Sequence, residues 1–186
     1  NELRNMNRKK VLQLLGIGFL GAPIPTFASD KLAKRISFQA DFLPAWKRSE
    51  EYTIALFEQM PEDKLDFRYT PESFTFRTQF VHCITFTAMQ ICARLSIKNP
   101  YMHGIAWDKL SRAELASEIR GFYAWVARVL GSTPPNKLKE LTDFSGDSIS
   151  VARLFYAMEN HIIHHRGQAL CYLRLNGITP VGYVGW

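Results

Sequence analysis

The chain has 186 residues, 47% of them hydrophobic and 22% charged, the balance of a globular domain with material for one core, which excludes a largely disordered or fibrous chain. Half of its formal charge of +6 lies in the first 28 residues, where Arg4, Arg8, Lys9 and Lys10 outweigh Glu2; no Lys/Arg-rich run interleaved with aromatics follows, so nucleic-acid binding has no support. Three cysteines, Cys83, Cys92 and Cys171, exclude a disulfide framework and a four-thiolate zinc site, and their apolar helical settings predict buried free thiols.

Taken in chain order, the first element is "MNRKKVLQLLGIGFLGAPIPTFASDK", Met6 to Lys31. A basic start, an apolar stretch from Val11 to Ala22, and Pro23 and Pro25 before "TFA" follow the order of a secretory signal peptide, with cleavage after Ala28. The apolar stretch is too short for a stable membrane span. An exported, periplasmic location is therefore expected if the leader is cleaved; the competing reading is an amphipathic arm on a cytoplasmic protein. Residues 29–43 read as a linker or N-terminal extension, and 44–186 as one domain.

Four helices follow. The first is predicted from Pro44, a favourable first-turn residue, to Met60, where "MPEDK" ends it. The second covers Phe74 to Leu95, after the turn-like "YTPES"; the alternation in "FTFRTQF" is its one strand-like feature, and the apolar continuation favours helix. Ser111-Arg112-Ala113-Glu114 is a capping box that opens the third. Leu115, Ile119, Phe122, Val126 and Leu130 form its apolar seam, and Gly131 is expected to close it. The fourth runs from Ser148 to Asn176, with Gly177 and Pro180 as stop signals. Almost nothing reads as a strand, so the fold class is all-α, an antiparallel four-helix bundle preceded by a leader. Connections of about 15 residues are long for a minimal bundle and often frame sites.

The fourth helix carries "ENHIIHHRGQALCYL", Glu159 to Leu173, with three histidines in five residues. Its core-facing seam, stepped by three and four, is Val151, Leu154 or Phe155, Met158, His161, His165, Gln168, Tyr172 and Leu175. His161 and His165 are four apart, so their rings lie one above the other and can reach one ion. His164 points elsewhere on the helix but stands three from His161, and spacing alone leaves open which two bind. Helix two offers a third imidazole, His82, on the face that carries Gln79, Phe86 and Met89. A buried histidine there needs a hydrogen bond or a metal. Three neutral imidazoles from two helices make a tripod with an open position, as in catalytic metal sites; satisfied core histidines are the bland alternative.

"HIIHHRGQALCYLRLNGITP" resembles the terminal motif of the DinB/YfiT-like superfamily, a His-x-x-x-His pair followed by Arg-Gly-Gln. "MPEDKLDFRYTPESFTFRTQFVHCI" resembles that family's first loop and second helix, ending in its lone ligand histidine. The resemblance runs from Pro44 to the C-terminus and is loose through helix three. It implies a divalent metal, zinc or nickel foremost, held by His82, His161 and His165 at one end of a four-helix bundle, with His164 a bystander. It further implies a metal-dependent transferase that uses a low-molecular-weight thiol, or a metal-dependent hydrolase, acting on a small-molecule substrate, and a homodimer. The alternative is a non-catalytic metal- or ligand-binding stress-related protein.

A metal with an open position lowers the pKa of bound water or thiol. Hydrolysis usually also wants an acid or base. The positions one turn from the ligands, Thr78, Gln79, Thr85, Phe86, Ala157, Met158 and Gln168, hold no carboxylate, and Glu159 should face away. That favours thiol activation. Gln79, His164, Arg166, Gln168 and Tyr172 are the candidates for the pocket or for support of the ligands. Arg166 and Gln168 read better as links between helices. Tyr123 and Trp125 either reach the pocket or cover a neighbouring helix, and in the loop "KNPYMHGIAWDK" His103 and Trp107 are either pocket rim or, for the histidine, simply exposed to solvent.

Overall fold

The computed structural model describes residues 36–184; the leader and its cleavage site lie outside the described residues. Four long helices carry the fold: α1 Phe38–Phe57, α2 Phe76–Leu95, α3 Arg112–Ser132 and α5 Val151–Leu175. Between α3 and α5 stand a short helix α4, Pro135–Lys139, and a hairpin of β1 Leu141–Phe144 and β2 Asp147–Ser150.

The four-helix bundle expected from the sequence is present, as a ring in which α1 packs on α3, α3 on α2, α2 on α5 and α5 on α1. The end of α1 meets the start of α3, where Arg112 Nη1 donates to the carbonyls of Glu58 and Met60. The end of α5 meets the start of α2, where Tyr172 bonds to Phe74. Those two pairs run antiparallel. Between α1 and α5, by contrast, Phe42 meets Phe155 and Ser49 meets Arg166, so these two helices run the same way and the bundle is not antiparallel throughout as the sequence suggested. α2 and α3 are parallel as well, since Arg77 near the start of α2 bonds to Leu110 just before α3, and parallel neighbours need a connection that travels the bundle's length, here the long segment 96–111.

The helix ends follow local chemistry. Ser37, Thr75, Ser111 and Ser150 each cap a long helix by accepting a backbone N–H three residues on, and Ser111 with Glu114 completes the expected capping box. At the end of α5, Gly177 takes φ +73° while its N–H bonds to Arg174 and that of Ile178 to Leu173. This is a Schellman closure, which needs a residue tolerant of left-handed backbone.

Five boundaries differ from the sequence reading by two residues or more, among them the start of α2, which opens at Phe76 rather than Phe74 because Thr75 caps it. Helix α1 starts at Phe38 rather than Pro44, so Phe38 to Leu43 of the expected linker belong to the bundle, and it ends at Phe57 rather than Met60. Pro44 sits inside the helix on an exposed position, where the Ala40 carbonyl that its missing N–H leaves unpaired is also on the exposed side, while Phe42 and Trp46 bury the opposite face. Gly131 does not close α3; the helix runs to Ser132, and Thr133 stops it by donating its hydroxyl to the Val129 carbonyl ahead of two prolines. Ser148 lies in β2, and α5 opens at Val151. The hairpin itself was not anticipated. Its turn, Ser145-Gly146 at φ +57° and +86°, is a two-residue turn with positive φ at both positions, and the Ser-Gly pair was the available signal.

All five residues of the predicted α3 seam are buried, against Phe42, Trp46 and Phe57 of α1, Phe76, Phe80 and Ile84 of α2, and Leu154, Phe155 and Met158 of α5. Each such side chain contributes about 1.5–3 kcal/mol by leaving water. The α5 seam departs from expectation at its end: Leu175 is exposed and Gln168 half-buried, while Ile162, Ala169 and Leu173 are buried instead. The helix therefore buries a face rotated slightly toward α1. Cys83 and Cys92 are buried as expected, but Cys171 is exposed because it lies on the outer side of that rotated face. No helix among the described residues is long and apolar enough to cross a membrane.

Candidate metal centre

The α2/α5 interface brings His82, His161 and His165 together. One ring nitrogen from each lies within 4.8 Å of the other two, and the Nε2 atoms of His161 and His165 stand 3.1 Å apart. Imidazole nitrogens about 2.0–2.1 Å from a tetrahedral ion stand about 3.3 Å from one another. The three donors thus fit a small divalent cation after shifts of an ångström or so.

His165 is the most constrained of the three. Its Nδ1–H donates to Gln79 Oε1 at 2.5 Å, which fixes the tautomer and leaves the Nε2 lone pair facing the cluster. The Gln79 amide nitrogen in turn reaches the Tyr172 hydroxyl at 3.4 Å, and that hydroxyl donates to the Phe74 carbonyl. This chain of hydrogen bonds ties the His165 ring to the segment before α2. Arg77 anchors the same segment, with Nε on Asp66 Oδ1 and Nη1 on the carbonyls of Trp107 and Leu110. The sequence reading had no role for Arg77, and nothing in the local pattern points to its two loop partners. His161 Nδ1 is buried without a hydrogen-bond partner.

Apolar rings flank the cluster. Phe74 lies nearly parallel to the His165 ring at 6.2 Å between centroids and 5.3 Å from His82; Phe86 lies 4.5 Å from His161 and 5.4 Å from His82. Burial lowers all three imidazole pKa values, with His161 and His165 at about 4 and the charges of neighbouring histidines adding to the effect. Among the described residues no carboxylate acts on these rings, so nothing opposes that shift. Near pH 7 the three imidazoles are therefore neutral, the state in which a histidine can bind a metal.

The other candidates sort by position. His164 is exposed, its ring 5.1 Å from His165 and outside the cluster. Tyr172 is fully buried and acts through Gln79. Gln168 is half-buried and makes none of these hydrogen bonds. Arg166 turns away to α1, where it donates to Ser49 and Thr53, so it links helices as its sequence context suggested. Tyr123 joins that linkage, sharing a 2.8 Å hydrogen bond with Thr53, and covers Trp46 rather than the histidines. Glu159 faces the α1 side with Arg166. Trp125 and His103 line a separate cavity of about 750 Å³ with Lys98, Pro100 and Met102, and Trp107 packs on Tyr101 beside it.

The chain belongs to the DinB superfamily, which it matches over residues 45–169, a span that contains all three histidines. It is similar in structure to a DinB-like protein from Bacillus subtilis, with a TM-score of 0.64 and 15% identity over 78% of this chain and 98% of that one. A DinB-like protein from Bacillus cereus is similar to the same degree, with a TM-score of 0.62 and 22% identity over 76% of this chain and 95% of the other. At these identities the likeness establishes a common fold. No curated protein matches the chain.

Proposed function

We propose that the protein binds a divalent metal through His82, His161 and His165 and uses it as a thiol-dependent transferase. The observation that carries the reading is the pairing of a three-imidazole cluster with the lack of any carboxylate beside it among the described residues. A metal held by three neutral imidazoles keeps positive charge and stabilises a bound thiolate or hydroxide.

The protein's own groups supply orientation and exclusion of water. Gln79 holds the His165 ring in one tautomer, and Phe74 and Phe86 wall the cluster with apolar surface. That surface suits a thiol better than a hydrolytic water, which needs a proton acceptor that none of these side chains provides. Zinc and nickel both accept imidazole ligands, and this donor set does not discriminate between them.

The test starts with metal content of the purified wild-type protein beside His82→Ala and His161→Ala. Wild-type protein that stays metal-free after resupply with zinc or nickel sinks the reading. If metal is held, a panel of small thiols with a chromogenic electrophile follows, with metal-dependent turnover expected. Turnover of ester or amide substrates without thiol would make the protein a hydrolase instead. Metal binding with no turnover on either panel would make it a binding protein.

A further inference from the structure

Arg166 follows a metal-ligand histidine by one residue but enters the opposite groove, between α1 and α5. It is 8% exposed. Its Nη1 donates to Ser49 Oγ at 2.9 Å, to the Ser49 carbonyl at 3.3 Å and to Thr53 Oγ1 at 3.2 Å, and its guanidinium lies over the Tyr52 ring at 4.8 Å. Among the described residues its Nε and Nη2 make no hydrogen bond, and no carboxylate lies within ion-pairing distance of it. A buried cation is costly unless a counter-charge accompanies it. Hydroxyls and a ring face offset only part of that cost.

The same guanidinium lines a cavity of about 190 Å³ with Arg48, Ser49, Tyr52 and Glu159, walled on one side by Tyr183 of the segment after α5. Tyr183 is placed there by packing on Tyr52, and by Gln59, which bonds to Thr179 and Val181. The volume is below the roughly 300–1,000 Å³ of pockets that enclose a whole small molecule. It is sufficient for one charged group. An oxyanion with two coplanar oxygens matches the free edge of an arginine fork.

We propose that this cavity is an oxyanion site, in which Arg166 receives the carboxylate or phosphate group of a small ligand. Glu159 is its internal competitor, because its side chain lines the same cavity as Arg166. The site lies in the α1/α5 groove and the histidines in the α2/α5 interface, so oxyanion binding does not depend on a metal.

The experiment titrates metal-free full-length protein with inorganic phosphate and, separately, with acetate, at constant ionic strength, by calorimetry. Saturable one-to-one binding is expected for at least one of them. Phosphate alone marks a phosphorylated ligand and acetate alone a carboxylate. Removal of the competing charge in Glu159→Gln should tighten binding by about tenfold, and Arg166→Gln should abolish it. Absence of saturable binding to either anion overturns the proposal, as does undiminished binding by folded Arg166→Gln. If Arg166→Gln does not fold, Glu159→Gln decides alone: unchanged or weaker affinity overturns it.

Discussion

Gln79 and His165 share a 2.5 Å hydrogen bond across the α2/α5 interface, 86 positions apart in the chain. A ligand ring that donates one N–H to a fixed acceptor has one orientation and one tautomer, so the other nitrogen faces the ion before it arrives. Gln79→Leu should therefore keep the fold and lower zinc or nickel affinity about 10- to 100-fold. Competition with a chromophoric chelator measures this; an unchanged affinity would show that the bond does not orient the ring.

Metal should stabilise the fold by mass action, by about 2.7 kcal/mol when free ion stands at 100 times Kd. Thermal or urea unfolding with and without zinc checks this, and a chelator should reverse the gain. His82→Ala, His161→Ala and His165→Ala should each lose most of the gain. His164→Ala should keep it, because that ring lies outside the cluster.

The metal-free protein should lose stability as pH falls from about 6.5 toward about 4. His161 and His165 have folded-state pKa values near 4, below the ordinary 6.5, so below pH 6.5 the unfolded chain takes up protons that the folded chain refuses. The stabilisation is full above 6.5 and is lost through that window. Urea titrations at a series of pH values, beside His161→Gln/His165→Gln, provide the check: the double variant should show a flatter decline between pH 6.5 and 4.

Tyr123 is fully buried, and its hydroxyl shares hydrogen bonds with Thr53 at 2.8 Å and Ser49 at 3.4 Å. Burial pushes its pKa up to about 12, so it stays neutral across the working range. Tyr123→Phe leaves the ring packed on Trp46 but removes the hydroxyl, at a cost of about 0.5–1.5 kcal/mol. Urea unfolding should register that loss with metal affinity unchanged, since the network joins α1, α3 and α5 without touching the histidines.

Gly146 holds φ +86° in the hairpin turn with open space around it. Gly146→Val should cost about 1–2 kcal/mol through backbone strain alone, since the side chain meets no neighbour. A loss confined to the hairpin, seen as faster amide exchange in β1 and β2, is the expected signature.

The long helices were legible because their signals are local. The α3 seam, the Ser111–Glu114 box and the Gly177 stop each depend on residues within a turn or two of one another, and the structure bears all three out. The start of α1 was misread because Pro44 looks like an entry residue, whereas the pairing of Ser37 with a helix that buries Phe42 and Trp46 outweighs it. The hairpin was passed over because its strands are four residues each and alternate weakly, which leaves Ser145-Gly146 as the lone cue. At the site, the resemblance to the DinB/YfiT-like motif selected His161 and His165 over His164, and the cluster places those two with His82.

What the sequence determined by itself was the contents of each helix face: His161 above His165, His82 beside Gln79, Arg166 a step around from His165. Helical periodicity settles these because each residue advances about 100° whatever its surroundings. Only the tertiary structure decided which faces meet. It set His82 against the α5 pair, gave the His165 N–H to Gln79 rather than to another acceptor, and sent Arg166 to Ser49 and a cavity on the far side. Those outcomes depend on the rotation and depth at which the helices pack, which the whole core fixes and no stretch of the chain encodes alone.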